Sequence, residues 1–152
     1  MRDFVKNKIR ERLLNESIEA HRINDIDDDN RYDSLIGQAE ELSKGGEIGF
    51  GSAEPFGVLY DTETGELAGA TWLETGGTFS PHIVIKPEYR GRGYSNLLIA
   101  DLVKKFEEMK RYMGPDYKFI VHVVNDKAAH NLLKNYGFKV IDTDAQGVTL
   151  SK

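Results

Sequence analysis

The chain has 152 residues, 39% of them hydrophobic, with no cysteine and with 25 acidic against 20 basic side chains for a net charge of −5. That length supports one domain with a core of its own; the composition excludes disulfides and thiolate metal ligands, and no apolar run nears the roughly 20 residues of a membrane helix. The overall acidity argues against a nucleic-acid partner, because phosphates draw a basic surface.

A charged N-terminus without an apolar signal segment makes a soluble, cytoplasmic protein the expectation. The charge is unevenly spread. Residues 1–76 carry 17 acidic and 8 basic side chains (net −9), and residues 77–152 carry 8 acidic and 12 basic (net +4). A basic second half suits a polyanionic cofactor, and an acidic first half suits a cationic amine. Ordinary variation in surface charge gives the same split.

In chain order, Phe4, Val5, Ile9, Leu13 and Ile18 recur at helical spacing and predict a helix over 2–20. Residues 17–26 also alternate, so a short first strand there remains open. The acidic loop Asp25–Asn30 can cap a helix over 31–43, with Leu35, Ile36, Ala39 and Leu42 inward. Gly45-Gly46 ends that helix. The run Asp27-Asp28-Asp29 lacks the glycine and distal glutamate of a calcium loop and reads as a solvated turn. Strands follow over 56–60 and 66–74, joined by a hairpin at Asp61–Gly65, with Gly65 where positive φ is needed. After a turn at Gly76-Gly77, a strand is predicted over 78–86. The next helix runs to about Met113 and stops at Gly114-Pro115. A β-branched strand covers 118–124, and a short helix covers 127–136, ended by Gly137. Short strands at 139–141 and 147–150 close the chain.

The most informative stretch joins the 78–86 strand to the following helix. An apolar run (Ile83, Val84, Ile85) stops at Lys86-Pro87, and a basic, glycine-spaced loop (Arg90, Gly91, Arg92, Gly93) leads through Tyr94, Ser95 and Asn96 into Leu97. Such a junction presents unpaired N–H groups and the positive end of a helix dipole to an anion. Gly91 and Gly93 let the backbone bend close to it, and Arg90 and Arg92 add charge-assisted hydrogen bonds. The structural alternative is a surface turn capped by Ser95. No Gly-Lys-Ser/Thr closes the loop, so it is not a mononucleotide P-loop. Asn96 stands where a dinucleotide fingerprint needs its third glycine.

The pattern Arg90, Gly93, Ser95 between a strand and a helix resembles the acetyl-CoA loop of the GNAT N-acetyltransferases, with Ser95 where glycine or alanine is usual. A second stretch, Asn125 to Phe138, is similar to that family's later motif. Ala129, Leu132, Gly137 and Phe138 match. Asp126 takes the asparagine position with Asn125 one residue early, and Leu133 takes the tyrosine position. The resemblance implies one mixed α/β domain over 1–152. It would have a helical part over 1–45 and a central, mostly antiparallel twisted sheet with splayed middle strands over 46–152, flanked by helices. It implies acetyl transfer from acetyl-CoA to an amine of a small molecule or a protein. The pantetheine arm would lie on Ile83–Ile85, and the pyrophosphate on the amides from Arg90 to Asn96, with Asn125 and Asp126 near the cofactor. A homodimer is left open.

Acetyl transfer needs a base for the ammonium proton and benefits from an acid for the departing thiolate. Imidazole titrates near neutral pH, so His82 and His122 are candidate bases, with Glu74 as a carboxylate alternative. Histidines on strands also commonly serve the core. Leu133 cannot donate a proton, which leaves Tyr136, one turn away, as the candidate acid. Trp72 and Phe79 suit either an acceptor pocket or the core, and His130 reads as surface. There is no cluster at metal-ligand spacing and no serine nucleophile elbow. A non-catalytic acyl-CoA-binding or partner-binding module on the same fold is the alternative that Leu133 favours. An acetyltransferase toxin acting on aminoacyl-tRNA is a third reading, which the acidic charge opposes.

Overall fold

The computed structural model describes residues 17–44, 53–74 and 77–152. The expectations for residues 2–16, Gly45-Gly46 and Gly76 lie outside them. Among the described residues the strands are β1 (Ile18–Arg22), β2 (Glu54–Asp61), β3 (Leu67–Leu73), β4 (His82–Ile85), β5 (Ile120–Val123), β6 (Lys139–Thr143) and β7 (Val148–Ser151). The helices are α1 (Asp29–Lys44), α2 (Ser95–Met113) and α3 (Asp126–Asn135). This is a mixed α/β fold with two sheets, ordered β1-β2-β3-β4 and β5-β7-β6. The chain divides into two compact units. One holds the residues up to Trp72 together with Ile83–Asp101; the other holds Leu73–His82 and Leu102–Lys152.

In the first unit, β1 settles the open choice over residues 17–26. Ile18–Arg22 pairs antiparallel with β2, with Ile18 opposite Asp61 and Arg22 opposite Gly57. The helix expected over 2–20 therefore does not continue through Ile18. Arg22 adds a contact remote in sequence. Its Nε and Nη2 donate to the Asp101 carboxylate on α2 at 3.0–3.1 Å, and its guanidinium lies 5.0 Å from the Phe56 ring centroid. A planar fork on a carboxylate is the geometry arginine favours.

Helix α1 starts at Asp29, earlier than the sequence suggested, and the Asp28 carboxylate accepts from the Arg31 amide at 2.8 Å. The acidic loop thus caps the helix as expected. Gln38 clamps the β2–β3 hairpin: its Nε2 donates to the Gly65 carbonyl at 2.9 Å and its Oε1 accepts from the Leu67 amide at 2.8 Å. Gly65 has φ +77°, and Asp61 Oδ1 accepts from the Glu63 and Thr64 amides. The four-stranded sheet is buried on both faces. Val58, Tyr60, Ala70 and Trp72 pack with Leu35 and Ala39 of α1. Leu59 and Ala68 pack with Ile18 and with Tyr94 and Leu98 at the start of α2.

In the second unit β7 lies between β5 and β6, antiparallel to both. The strand expected over 78–86 is shorter than that, because Pro81 has no N–H to give a ladder. Phe79 makes one parallel bridge to Phe119, its amide donating to the Lys118 carbonyl at 2.8 Å. Phe79 sits in an aromatic core. Its ring centroid is 4.7 Å from that of Phe119 and 5.7 Å from that of Phe106, and Phe119 is 4.9 Å edge-on from Phe138. Tilted and edge-on pairs at this spacing are favourable beyond their buried area.

Candidate active site and cofactor cradle

The cradle grows directly out of β4. A 3-10 turn, Pro87–Tyr89, follows the strand, and the Arg90 Nε donates back to the Ile85 carbonyl at 2.9 Å. Gly91 and Gly93 both have φ +78°, a region that side-chain-bearing residues rarely adopt. Gly91, Arg92 and Gly93 are exposed. Among the described residues their amides have no acceptor. Successive amides in alternating backbone conformations form a concavity for an anion. Helix α2 begins at Ser95 with no acidic residue in its first turn, so nothing opposes a negative ligand at its positive end.

Two amides expected in the cradle are used internally. Arg90 N–H donates to the Pro87 carbonyl and Asn96 N–H to the Gly93 carbonyl, each at 3.2 Å. The open donors are therefore the central ones, at Gly91 to Gly93. Tyr94 is buried against Leu98 and its ring lies 6.5 Å from that of Tyr89. It anchors the loop from beneath. On the strand side, Ile83, Val84 and Ile85 are half-buried. Gly69 of β3 lets that strand come close: a Cβ there would stand 2.8 Å from the Val84 carbonyl oxygen and 2.6 Å from Ile85 Cδ1.

The candidate acid–base groups all fall in the second unit. His82 is half-buried; desolvation pulls its pKa below the ordinary 6.5, and the Glu74 carboxylate opposes that shift. Burial raises the Tyr136 phenol above 10.0, so Tyr136 keeps its proton near neutral pH. His122 is exposed on β5, and its Nε2 lies 3.1 Å from Asp144 Oδ2 in the β6–β7 turn. Sequence reasoning missed Asp144, which is far from His122 along the chain and belongs to no motif.

The later motif reads as helix construction. Asn125 is the N-cap of α3, its side-chain oxygen accepting from the Ala128 amide at 3.1 Å. Asp126 opens the helix and is exposed. Ala129 and Leu132 are buried, and Leu133 is exposed. Gly137 has φ +75°, and the Tyr136 and Phe138 amides both donate to the Leu132 carbonyl. This is a glycine C-cap that turns Phe138 into the aromatic core. Trp72 and Phe79 are core residues, each 2% exposed. His130 is on the surface as expected.

The model of the family described as FR47-like protein matches residues 56–146, a span that contains both the cradle and the Asn125–Phe138 stretch. The chain belongs to the FR47-like family. Its fold is that of GNAT acetyltransferases. A GCN5-related N-acetyltransferase from Kribbella flavida is 15% identical, with a TM-score of 0.54 over 90% of this chain and 98% of that one. A GNAT family acetyltransferase from Elizabethkingia anophelis with acetyl-CoA bound is 16% identical, with a TM-score of 0.53 over 89% and 97%. A chain of the KacTA–DNA complex is 18% identical, with a TM-score of 0.53 over 89% and 92%. No curated protein sequence matches the chain. Among the described residues of this FR47-like chain, no group of three His, Asp or Glu can hold a metal ion. No described helix is long and apolar enough to cross a membrane.

Proposed function

We propose that this FR47-like protein is an N-acetyltransferase that moves an acetyl group from acetyl-CoA to a cationic amine, and that residues 1–152 form one GNAT-like domain. The observation that carries this is the run of exposed, acceptor-free amides at Gly91–Gly93, held by two positive-φ glycines at the start of α2. A concavity of free backbone amides at a helix N-terminus suits an anionic group such as a diphosphate. Acetyl-CoA, the co-substrate in this reading, supplies an activated acyl carbon.

The chain's own groups have distinct tasks. The amides of Gly91 to Gly93 and the Arg92 guanidinium hold the pyrophosphate. Backbone groups of Ile83–Ile85 hold the pantetheine arm. His122 or His82 accepts the ammonium proton, which frees the nitrogen lone pair for attack. Because the chain has no cysteine, the amine attacks the thioester directly. Tyr136, still protonated at neutral pH, is the available proton donor for the thiolate. The acidic first half favours a cationic acceptor, either a small molecule or a protein lysine or N-terminus. The KacTA–DNA complex shows that nucleic acid occurs alongside this fold, but a net charge of −5 opposes it here.

The exposed Leu133 in the slot of the family's tyrosine supports a second reading, an acyl-CoA-binding module without turnover. Calorimetry with CoA, together with thiol release from acetyl-CoA in the presence of spermidine, L-lysine and a peptide with a free N-terminus, separates the two. Binding with release on any of these amines supports the enzyme. Binding without release supports the module. Absence of binding at about millimolar CoA, or equal binding by Arg92→Glu/Gly93→Val, sinks both.

A further inference from the structure

Arg90 stands just before the glycine bend, and its side chain turns back from it. Its Nε donates to the Ile85 carbonyl at 2.9 Å. The Lys86 amide donates to the Ala68 carbonyl of β3 at 2.8 Å. A trans peptide sets its N–H and C=O on opposite sides, so the Ile85 carbonyl points away from β3. β4 is the last strand of its sheet, which puts that carbonyl on the sheet's edge, at the end of the strand. Two main-chain hydrogen bonds close the segment between. The Tyr89 amide donates to the Lys86 carbonyl at 2.9 Å, and the Arg90 amide to the Pro87 carbonyl at 3.2 Å. Arg90 is thus tied to the exit of β4 through both its main chain and its side chain. The bend that follows is built on two glycines with φ +78°. These have no side chains of their own to hold it. Buried Tyr94 anchors its far end, and Arg90 anchors its near end. All of these residues belong to the first unit. Arg92 differs. It is exposed, and among the described residues its guanidinium makes no hydrogen bond or ion pair.

We infer that Arg90 is a positioning residue, a brace that ties the Gly91–Gly93 bend to the end of β4 through the Ile85 carbonyl, and that Arg92 is the arginine left to meet the phosphates. This rests on the acetyltransferase reading for its ligand. It deepens that reading by giving different tasks to two arginines that the sequence pattern treats alike. It also withdraws the Ile85 carbonyl from the groups open to the pantetheine arm.

The brace needs a donor at the Nε position and no charge. Glutamine carries Nε2 at the same place along its side chain as arginine carries Nε, and it is neutral. Methionine matches the length and has no donor. Arg90→Gln should therefore keep the brace and Arg90→Met should lose it. Calorimetry with CoA over about 50–300 mM NaCl reads the result. Arg90→Gln is expected to bind within about twofold of wild type, and Arg90→Met about 3- to 10-fold more weakly. Arg92→Gln should weaken binding and flatten its salt dependence more than either, the mark of a charge that faces phosphate. A second arm needs no ligand. Nitrogen-15 NMR of the arginine Nε–H groups, with Arg90 assigned by its loss in Arg90→Gln, should show a slowly exchanging Arg90 proton in the free protein. The Gly93 amide signal should stay in place in Arg90→Gln and move in Arg90→Met.

An Arg90→Gln protein that binds as weakly as Arg90→Met, or that flattens the salt dependence as much as Arg92→Gln, overturns the inference. So does full CoA affinity in Arg90→Met. In the free protein, a rapidly exchanging Arg90 Nε–H, or a Gly93 signal that behaves alike in both variants, overturns it as well. A wild type that takes up no CoA defeats the acetyltransferase reading instead, and the NMR arm still decides the brace.

Discussion

Gly69→Ala tests whether the cradle strand depends on a close approach of β3 to β4. Gly69 carries no positive φ, so the cost of a side chain there is steric. An added Cβ would meet Ile85 Cδ1 at 2.6 Å, the Val84 carbonyl oxygen at 2.8 Å and Ile85 Cα at 3.3 Å. The Ile85 methyl can rotate away, but the carbonyl and Cα belong to the backbone and move only if β4 moves. Overpacking of this kind costs about 1–3 kcal/mol. For a chain of this length each kcal/mol lowers Tm by about 2–4 °C, so a fall of about 2–12 °C is expected. β4 leads straight into the cradle, so CoA affinity measured by calorimetry should drop with it, by about 3- to 10-fold. The matched control is Gly37→Ala. Nothing lies within 4 Å of a Cβ at that helical position, and replacing a mid-helix glycine there should raise stability by about 0.5–1 kcal/mol. Differential scanning calorimetry of both variants decides the point. A Gly69→Ala protein within about 1 °C of wild type, with unchanged CoA affinity, refutes the claim that β3 sets the position of β4.

Gly93→Ala makes the opposite demand. Only Asn96 Nδ2, at 3.9 Å, comes near the new Cβ, but φ is +78°, so the loop relaxes to negative φ and turns its amides away. CoA affinity should fall about tenfold with little change in Tm, a cost of about 1–2 kcal/mol; equal affinity counts against the cradle. Asn125→Ala removes the N-cap oxygen of α3 and should lower stability by about 1 kcal/mol in urea unfolding. Asp144 gives a pH signature. Its folded pKa lies below the ordinary 3.8, so its contribution is present above 3.8 and is lost as pH falls through the lower folded value. Thermal unfolding across about pH 2.5–6 should show a shallower acid decline in Asp144→Asn than in wild type, and parallel curves would exclude this linkage.

What the sequence shows and what it hides divide along contact distance. The bend at Gly91–Gly93 was readable because its backbone is local. Gly91 and Gly93 take the positive φ that glycine permits, and the Pro87 turn and the helix start at Ser95 bracket the bend. The Gly65 hairpin and the Gly137 cap were readable for the same reason. Residues 17–22 were not, because Ile18 and Ala20 fit both a helical and an alternating period. Only the β2 ladder and the Asp101 carboxylate, remote in sequence, decide for the strand. Trp72 and Phe79 carried the same ambiguity between pocket and core. For Phe79, partners at positions 106 and 119 resolve it, and no periodicity encodes them. Asp144 was invisible for a related reason. An aspartate followed by Gln146 and Gly147 reads as a surface turn, and it is one; the same carboxylate meets an imidazole only because β7 lies beside β5. A residue whose local role is already satisfied gives the sequence no reason to assign it a second one. Chemistry of that kind emerges only when strand pairing brings the second partner within 3.1 Å.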